Sequence, residues 1–343
     1  MRWGGRPGRW VRGALGVWLA AAATACAGGG PSGPGPDPDP GVDSDGDGLS
    51  DDVEMALVRQ YRPVWEWDAA EEIWPISVEE WAGFGGRVTR GAEVREYDDV
   101  AGFAVAVAAL PDGAMETVAD VRAGAAPCAA GAGCDRAPIY VDAVPARFSQ
   151  AGRENLVWLH YWLFFHFDRK FAQTLDLSHY GDWEHVCVLV SRDDLGRSDA
   201  PPVGLHFHSH GVLVVADAAA VWHADPACAA GTVSPGCHGT RHPAAYVEAN
   251  GHGMFAGPGE TLLGPHFGQR SNPAEQLDNP IAFLTPHSTN ATSAIDDAIR
   301  AFRGRWGQTA GASPFGPLVP TQPCDHDWDA TPALADWLPG CRT

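Results

Sequence analysis

The chain has 343 residues, 45% hydrophobic and 19% charged, with 14 Trp, 41 Gly, 28 Pro and a formal net charge of −20. That length suffices for a sizeable core, and the Trp, Gly and Pro content favours strands and loops over long helices. So acidic a balance argues against nucleic acid as a partner and against electrostatic attraction to anionic lipid.

Residues 1–26 read as an export signal. Arg2, Arg6, Arg9 and Arg12 come first with no acid among them, followed by an apolar run from Ala14 to Ala23 and then Thr24-Ala25-Cys26. The run is too short to span a bilayer comfortably. Small residues before Cys26 resemble the lipobox of bacterial lipoproteins. That resemblance implies cleavage before Cys26, lipidation of its thiol and a place in the cell envelope. Ala27, where Asp would favour inner-membrane retention, points to the outer membrane or the cell surface. Residues 27–42 are Gly, Pro, Ser and Asp with almost nothing to bury, and are expected to form an extended spacer.

The segment Asp43-Ser-Asp45-Gly-Asp47-Gly48-Leu49-Ser-Asp51-Asp-Val-Glu54 follows. Acids at positions 1, 3, 5, 9 and 12 with Gly at 6 fit a calcium loop. Alternate side chains of Asp43, Asp45, Asp47 and Asp51 and the Leu49 carbonyl can wrap a hard cation, while Glu54 supplies two oxygens. Only the outgoing helix, over about 51–61, is predicted, because the Pro-rich side cannot be helical. The loop therefore resembles the single loops of thrombospondin type 3 repeats more than a paired sensor, and is expected to hold Ca2+ and stiffen the tether.

From residue 55 to 343 the chain reads as one domain. A hairpin is expected near 103–110. Strands are expected at 138–142, 155–167, 183–191, 203–215 and 244–248, and a helix at 293–303. Strands at short spacing with few helices predict a mainly β fold, a Trp-rich β-sandwich with few short helices. The strand 155–167 is apolar on both faces, so it should be buried on both sides. Seven cysteines lie outside the leader. Cys128 with Cys134, Cys228 with Cys237 and Cys324 with Cys341 would each close a short loop. Cys187, inside an apolar strand, is expected as a buried free thiol.

Two carboxylates, Asp182 and Glu184, enter an otherwise apolar strand on one face, which is costly unless they are paired or bound to metal. His206, His208 and His210 follow at alternating positions, and His252 lies further on. Two readings stand side by side. Asp182, Glu184, His206, His208, His210 and His252 hold a second divalent cation, or they form a buried hydrogen-bond network. No nucleophile elbow, phosphate loop or dinucleotide fingerprint is present. Catalytic residues are not identifiable.

Several stretches resemble the vacuolar protein sorting-associated protein 62 family. They are Tyr61-Arg-Pro63 with Pro75-Ile-Ser-Val78, Leu159-His-Tyr-Trp162-Leu-Phe-Phe165, His179-Tyr-Gly-Asp-Trp-Glu-His185, residues 206–210 with Trp222, His242-Pro-Ala-Ala-Tyr-Val247 with Gly251-His252, and Gly304-Arg-Trp-Gly307. The resemblance covers about 55–330 and implies no particular activity. More distantly, His179, Asp182 and Glu184 resemble the cation-site motif of the necrosis- and ethylene-inducing peptide-like proteins. The expected roles are an anchored module binding glycan or lipid headgroups, with a metal-dependent hydrolase at the same residues as the alternative.

Overall fold

The computed structural model describes residues 41–68, 71–117, 137–146, 155–169, 171–172, 175–176, 178–197, 200–209, 212–216, 222–224, 241–255, 279–285, 287, 294–302 and 304–307. All of these belong to one compact unit over 38–147 and 155–322. The leader with Cys26, His210 and the cysteines 128, 134, 228, 237, 324 and 341 lie outside the described residues.

In chain order the elements are α1 (Asp51–Gln60), β1 (Val64–Trp67), α2 (Val78–Gly83), β2 (Gly86–Arg90), β3 (Glu93–Tyr97), α3 (Val100–Ala109), β4 (Ala114–Thr117), β5 (Ile139–Pro145) and β6 (Leu156–Asp168). Then come β7 (Phe171–Ala172), β8 (Leu175–Asp176), β9 (His179–Ser191), β10 (Gly204–Ser209), β11 (Val212–Ala216), β12 (Trp222–Ala224), β13 (Arg241–Val247), β14 (Met254–Phe255), β15 (Ile281–Phe283) and α4 (Ala294–Ala301). The fold is mainly β with few short helices, as the strand spacing predicts.

A six-stranded sheet in the order β11-β10-β9-β6-β5-β15 forms the centre. Its two longest strands, β6 and β9, are buried on both faces, and side-chain alternation sorts their residues into two cores. Tyr161, Leu163, Phe165, Val186, Val188, Leu205 and Phe207 meet Trp65, Trp67, Ala245, Val247 and Met254 of the sheet formed by β1, β12, β13 and β14. This is the expected sandwich. On the other face Tyr140, Trp162, Phe164 and Trp183 meet α2, α3, α4, the small sheet β3-β2-β4 and Trp306. Trp306 lies 5.3 Å from Trp183 and 5.6 Å from Phe164 between ring centroids. Each aromatic buried this way contributes roughly 1.5–3 kcal/mol, far more than solvent-screened surface ion pairs such as Arg90–Asp112.

Three expectations are corrected here. Residues 103–109 are helical, with Leu110 as the C-cap, and do not form a hairpin. Asp99 caps α3 by accepting from the Gly102 amide at 2.7 Å, and the Ala-rich run that follows favours a helix. The stretch 203–215 is two strands, not one. Ser209 pairs with Val212 in an antiparallel hairpin, leaving two residues between them, the second a Gly. Cys187 is buried and disulfide-bonded rather than a free thiol, with its partner outside the described residues.

Candidate metal centre

Residues 43–50 fold by turning backbone amides onto acidic side chains. Gly46 and Gly48 donate to the two oxygens of Asp43 at 2.7 and 3.0 Å. The Asp47 amide donates to Asp45 at 3.2 Å, and the Leu49 amide to Asp47 at 2.7 Å. Gly46 and Gly48 have φ of 79° and 101°, a backbone region that a side chain disfavours. Oxygens of Asp43, Asp45 and Asp47 thereby come within 4.8 Å of one another. Ser50 then caps α1, accepting from the Val53 amide at 3.4 Å.

Glu54, in the first turn of α1, lies within reach of the charges on Asp45 and Asp47 but groups with Asp51 and His287 rather than with the three aspartates. Its residue exposure is 0%, and neither carboxylate oxygen has a hydrogen-bond partner. Burial, followed by the neighbouring acids, pushes Asp47 up to about 7 and Glu54 up to about 9, and raises Asp45 as well. Asp142 of β5 is among the charges felt by all three. A buried carboxylate with neither donor nor cation is the costly case, and a hard divalent cation with oxygen ligands offsets it. The donor set of Asp43, Asp45, Asp47 and Glu54 therefore fits Ca2+. Asp51 stands differently. Its carboxylate accepts from the Ser44 amide at 2.9 Å and the Ser44 hydroxyl at 2.7 Å, so it braces the loop, and its contact with a cation would run through water.

The loop is not a bead on a tether. Leu49, Leu57 and Val58 belong to the core under the central sheet, and the Tyr161 hydroxyl donates to the Val58 carbonyl at 2.9 Å. His287, just beyond β15, donates through Nε2 to the Asp51 carbonyl at 2.9 Å, and the same nitrogen is 3.8 Å from Glu54. Its ring stacks on Phe283 at 3.7 Å. Asp51, Glu54 and His287 form a second group with metal-ligand proximity, and all three are buried.

The proposed second centre is divided by the sheet. The register pairs His206 with Cys187, while Asp182 and Glu184 pair with Phe165 and Leu163. His206 therefore lies on the Cys187 side, 5.5 Å from Trp158, and Asp182 and Glu184 lie on the opposite side. His208 is two residues further along β10 than His206, and its side chain is outside the described residues. Asp182 meets His252 instead, at 3.0 Å from Nδ1. His252 Nε2 is 3.8 Å from Glu71, whose carboxylate accepts from the Ile73 and Asn250 amides at 2.6 and 2.8 Å. Burial raises the Glu71 carboxyl. His252 holds a φ of 52°, uncommon outside glycine, under a parallel stack on Phe165 at 3.7 Å. His166 is buried nearby, and burial, with His252 adding to it, pulls its imidazole down to about 4. His179 pairs with Asp168 at 3.3 Å. Among the described residues, no group with metal-ligand proximity includes Asp182, Glu184, His206 or His252.

Glu71, Asp142, Asp168 and His287 escaped the sequence reading. None carries a spacing signal, because each meets its partner across strands or from a distant loop.

No protein-family model matches the chain, and no curated protein matches its sequence. Among solved structures, one described as "Toxin fold for microbial attack and plant defense" is 13% identical, covering 80% of this chain and 88% of that one, with a TM-score of 0.39. "NLPPya in complex with glucosamine" has the same identity, coverage and TM-score. Necrosis and Ethylene inducing Protein 2 from the causal agent of cocoa's Witches Broom disease is 15% identical over 72% of this chain and 78% of its own, with a TM-score of 0.32. The likeness is distant.

Proposed function

We propose that this protein is an exported, lipid-anchored module whose β-rich domain takes up one Ca2+ at residues 43–54 and binds a ligand at the envelope surface. One observation carries the calcium part: Glu54 is fully buried with two unpartnered oxygens, within reach of the charges on Asp45 and Asp47, which themselves converge with Asp43. The anchor rests on Cys26 and the small residues before it. A glycan or lipid headgroup is the class of ligand proposed. Asp182, His252 and Glu71 have exposures of 3%, 0% and 3%, which supports a structural network there rather than a hydrolytic centre open to substrate.

Calorimetric titration of the full chain with CaCl2 tests the calcium reading. About one ion per chain is expected, with loss of uptake in the Asp45→Ala, Asp47→Ala double variant. Unaltered uptake in that variant would sink it. The anchor is tested by incorporation of labelled palmitate in a bacterial host, which should vanish in Cys26→Ser.

A further inference from the structure

We propose that the calcium centre is completed from outside its own loop, by His287 as a positioning residue and Asp142 as an outer carboxylate, so that the cation fastens α1 to the β5–β15 edge of the central sheet. This rests on the calcium reading of residues 43–54 and extends it, since a loop of that type ordinarily closes on its own residues.

His287 is 236 residues from Asp51, yet its Nε2 donates to the Asp51 carbonyl at 2.9 Å. That bond ties the first turn of α1, which carries Glu54, to the segment just beyond β15. The same nitrogen is 3.8 Å from Glu54 Oε2. Phe283 of β15 holds the ring by a stack with planes 5° apart, so the imidazole is aimed by the sheet edge. One strand inward, Asp142 spends one oxygen on His160 Nδ1 at 3.5 Å, while its other oxygen is buried without a hydrogen-bond partner. β15 runs parallel to β5, placing Phe283 beside Val141. Asp142 is among the charges felt by Asp45, Asp47 and Glu54, so the acidic loop, α1 and β5 bring their carboxylates into one neighbourhood, with His287 at its edge. A divalent cation in it draws all of these parts together. The reciprocal consequence is that the main domain depends on calcium, and that calcium affinity depends on the main domain.

The experiment is calcium titration of the full chain by calorimetry, with thermal unfolding followed by tryptophan fluorescence, in parallel with His287→Ala, His287→Gln and Asp142→Asn. His287→Ala should weaken calcium binding about tenfold, the equivalent of one lost hydrogen bond. His287→Gln, whose amide N–H can still donate, should recover most of that loss. Asp142→Asn should weaken binding a few-fold. Calcium should raise the midpoint of the unaltered chain. Hydrogen exchange of the unaltered chain provides a reading that needs no variant to fold: calcium should slow exchange at residues 281–285 as well as at 43–54. Wild-type affinity in all three variants, or protection confined to 43–54, would overturn the fastening role while leaving the calcium site standing. No uptake by the unaltered chain would overturn the calcium reading itself.

Discussion

Two regions bury carboxylates, and they solve the resulting problem in opposite ways. At the network below β6 and β9, Asp182 and Glu71 are supplied with donors by the protein: the His252 ring and the amides of Ile73 and Asn250. At the start of α1, Glu54 lacks a hydrogen-bond donor at either oxygen and feels the charges of Asp45 and Asp47, which converge with Asp43 in the preceding loop. A buried acid supplied with donors is accounted for by the protein itself, whereas one left without a donor is the costly case that a cation would offset. Spacing singles out residues 43–54, but it does not say that the scattered acids Glu71 and Asp182 find donors within the protein. Partner counting at the atomic level separates the two regions.

The most disruptive test is His252→Ala. It leaves Asp182 without its imidazole and removes the stack on Phe165, at an expected cost of about 3–5 kcal/mol. Urea unfolding should show the loss, with calcium uptake unchanged. A parallel fall in calcium affinity would erase the distinction between the regions.

The regions should also respond to pH in opposite directions. His166 is held neutral, at about 4 against an ordinary 6.5, so below pH 6.5 the unfolded chain binds the proton first. Its contribution is complete above pH 6.5 and is lost as pH falls towards 4, an effect of roughly 3 kcal/mol at most. His166→Gln should flatten that acid limb, and an unchanged limb would remove His166 from the account. With calcium chelated, Glu54 works the other way. Its folded carboxyl titrates near 9, so stability should decline as pH climbs from about 4.5 towards 9. Adding calcium should abolish this alkaline decline alone.

Calcium at a hundredfold excess over its Kd should stabilise the folded chain by about 2.7 kcal/mol, roughly 5–10 °C in Tm for a domain of this size. Chelation with EGTA in a fluorescence melt checks this. The smallest expected effect is that of Tyr161→Phe, which removes only the hydroxyl bond to Val58 and should cost about 1 kcal/mol in urea unfolding.

Local pattern carried a good part of this account. The doubly buried β6, the start of β9's apolar run, α1 and the spacing of Asp43, Asp45, Asp47 and Glu54 are all read from residues near one another. What escaped depends on register. His206, two residues from His208 and four from His210, appears to belong with Asp182 and Glu184 until the pairing with Cys187 puts it on the other face. The hairpin joining Ser209 to Val212 hides inside a run whose alternating histidines and apolar residues read as one continuous strand. His287 has no local signal at all, since its meaning comes from a carbonyl 236 residues away.

The parallel pairing of β1 with β13 joins Val64 to Ala244, and that of β5 with β15 joins Ile139 to Ile281. Contacts so distant along the chain make folding slow, because a long loop must close before any of them is rewarded. A ribosome extrudes α1 and β1 early, yet the strand partner of β1 arrives only with residues 241–247 and the His287 contact of α1 later still. Until then Trp65 and Trp67 lack part of the surface that buries them, in a nascent chain prone to self-association. Maturation of this protein is thus a problem of waiting, and any chaperone that attends it should be found on the first hundred residues.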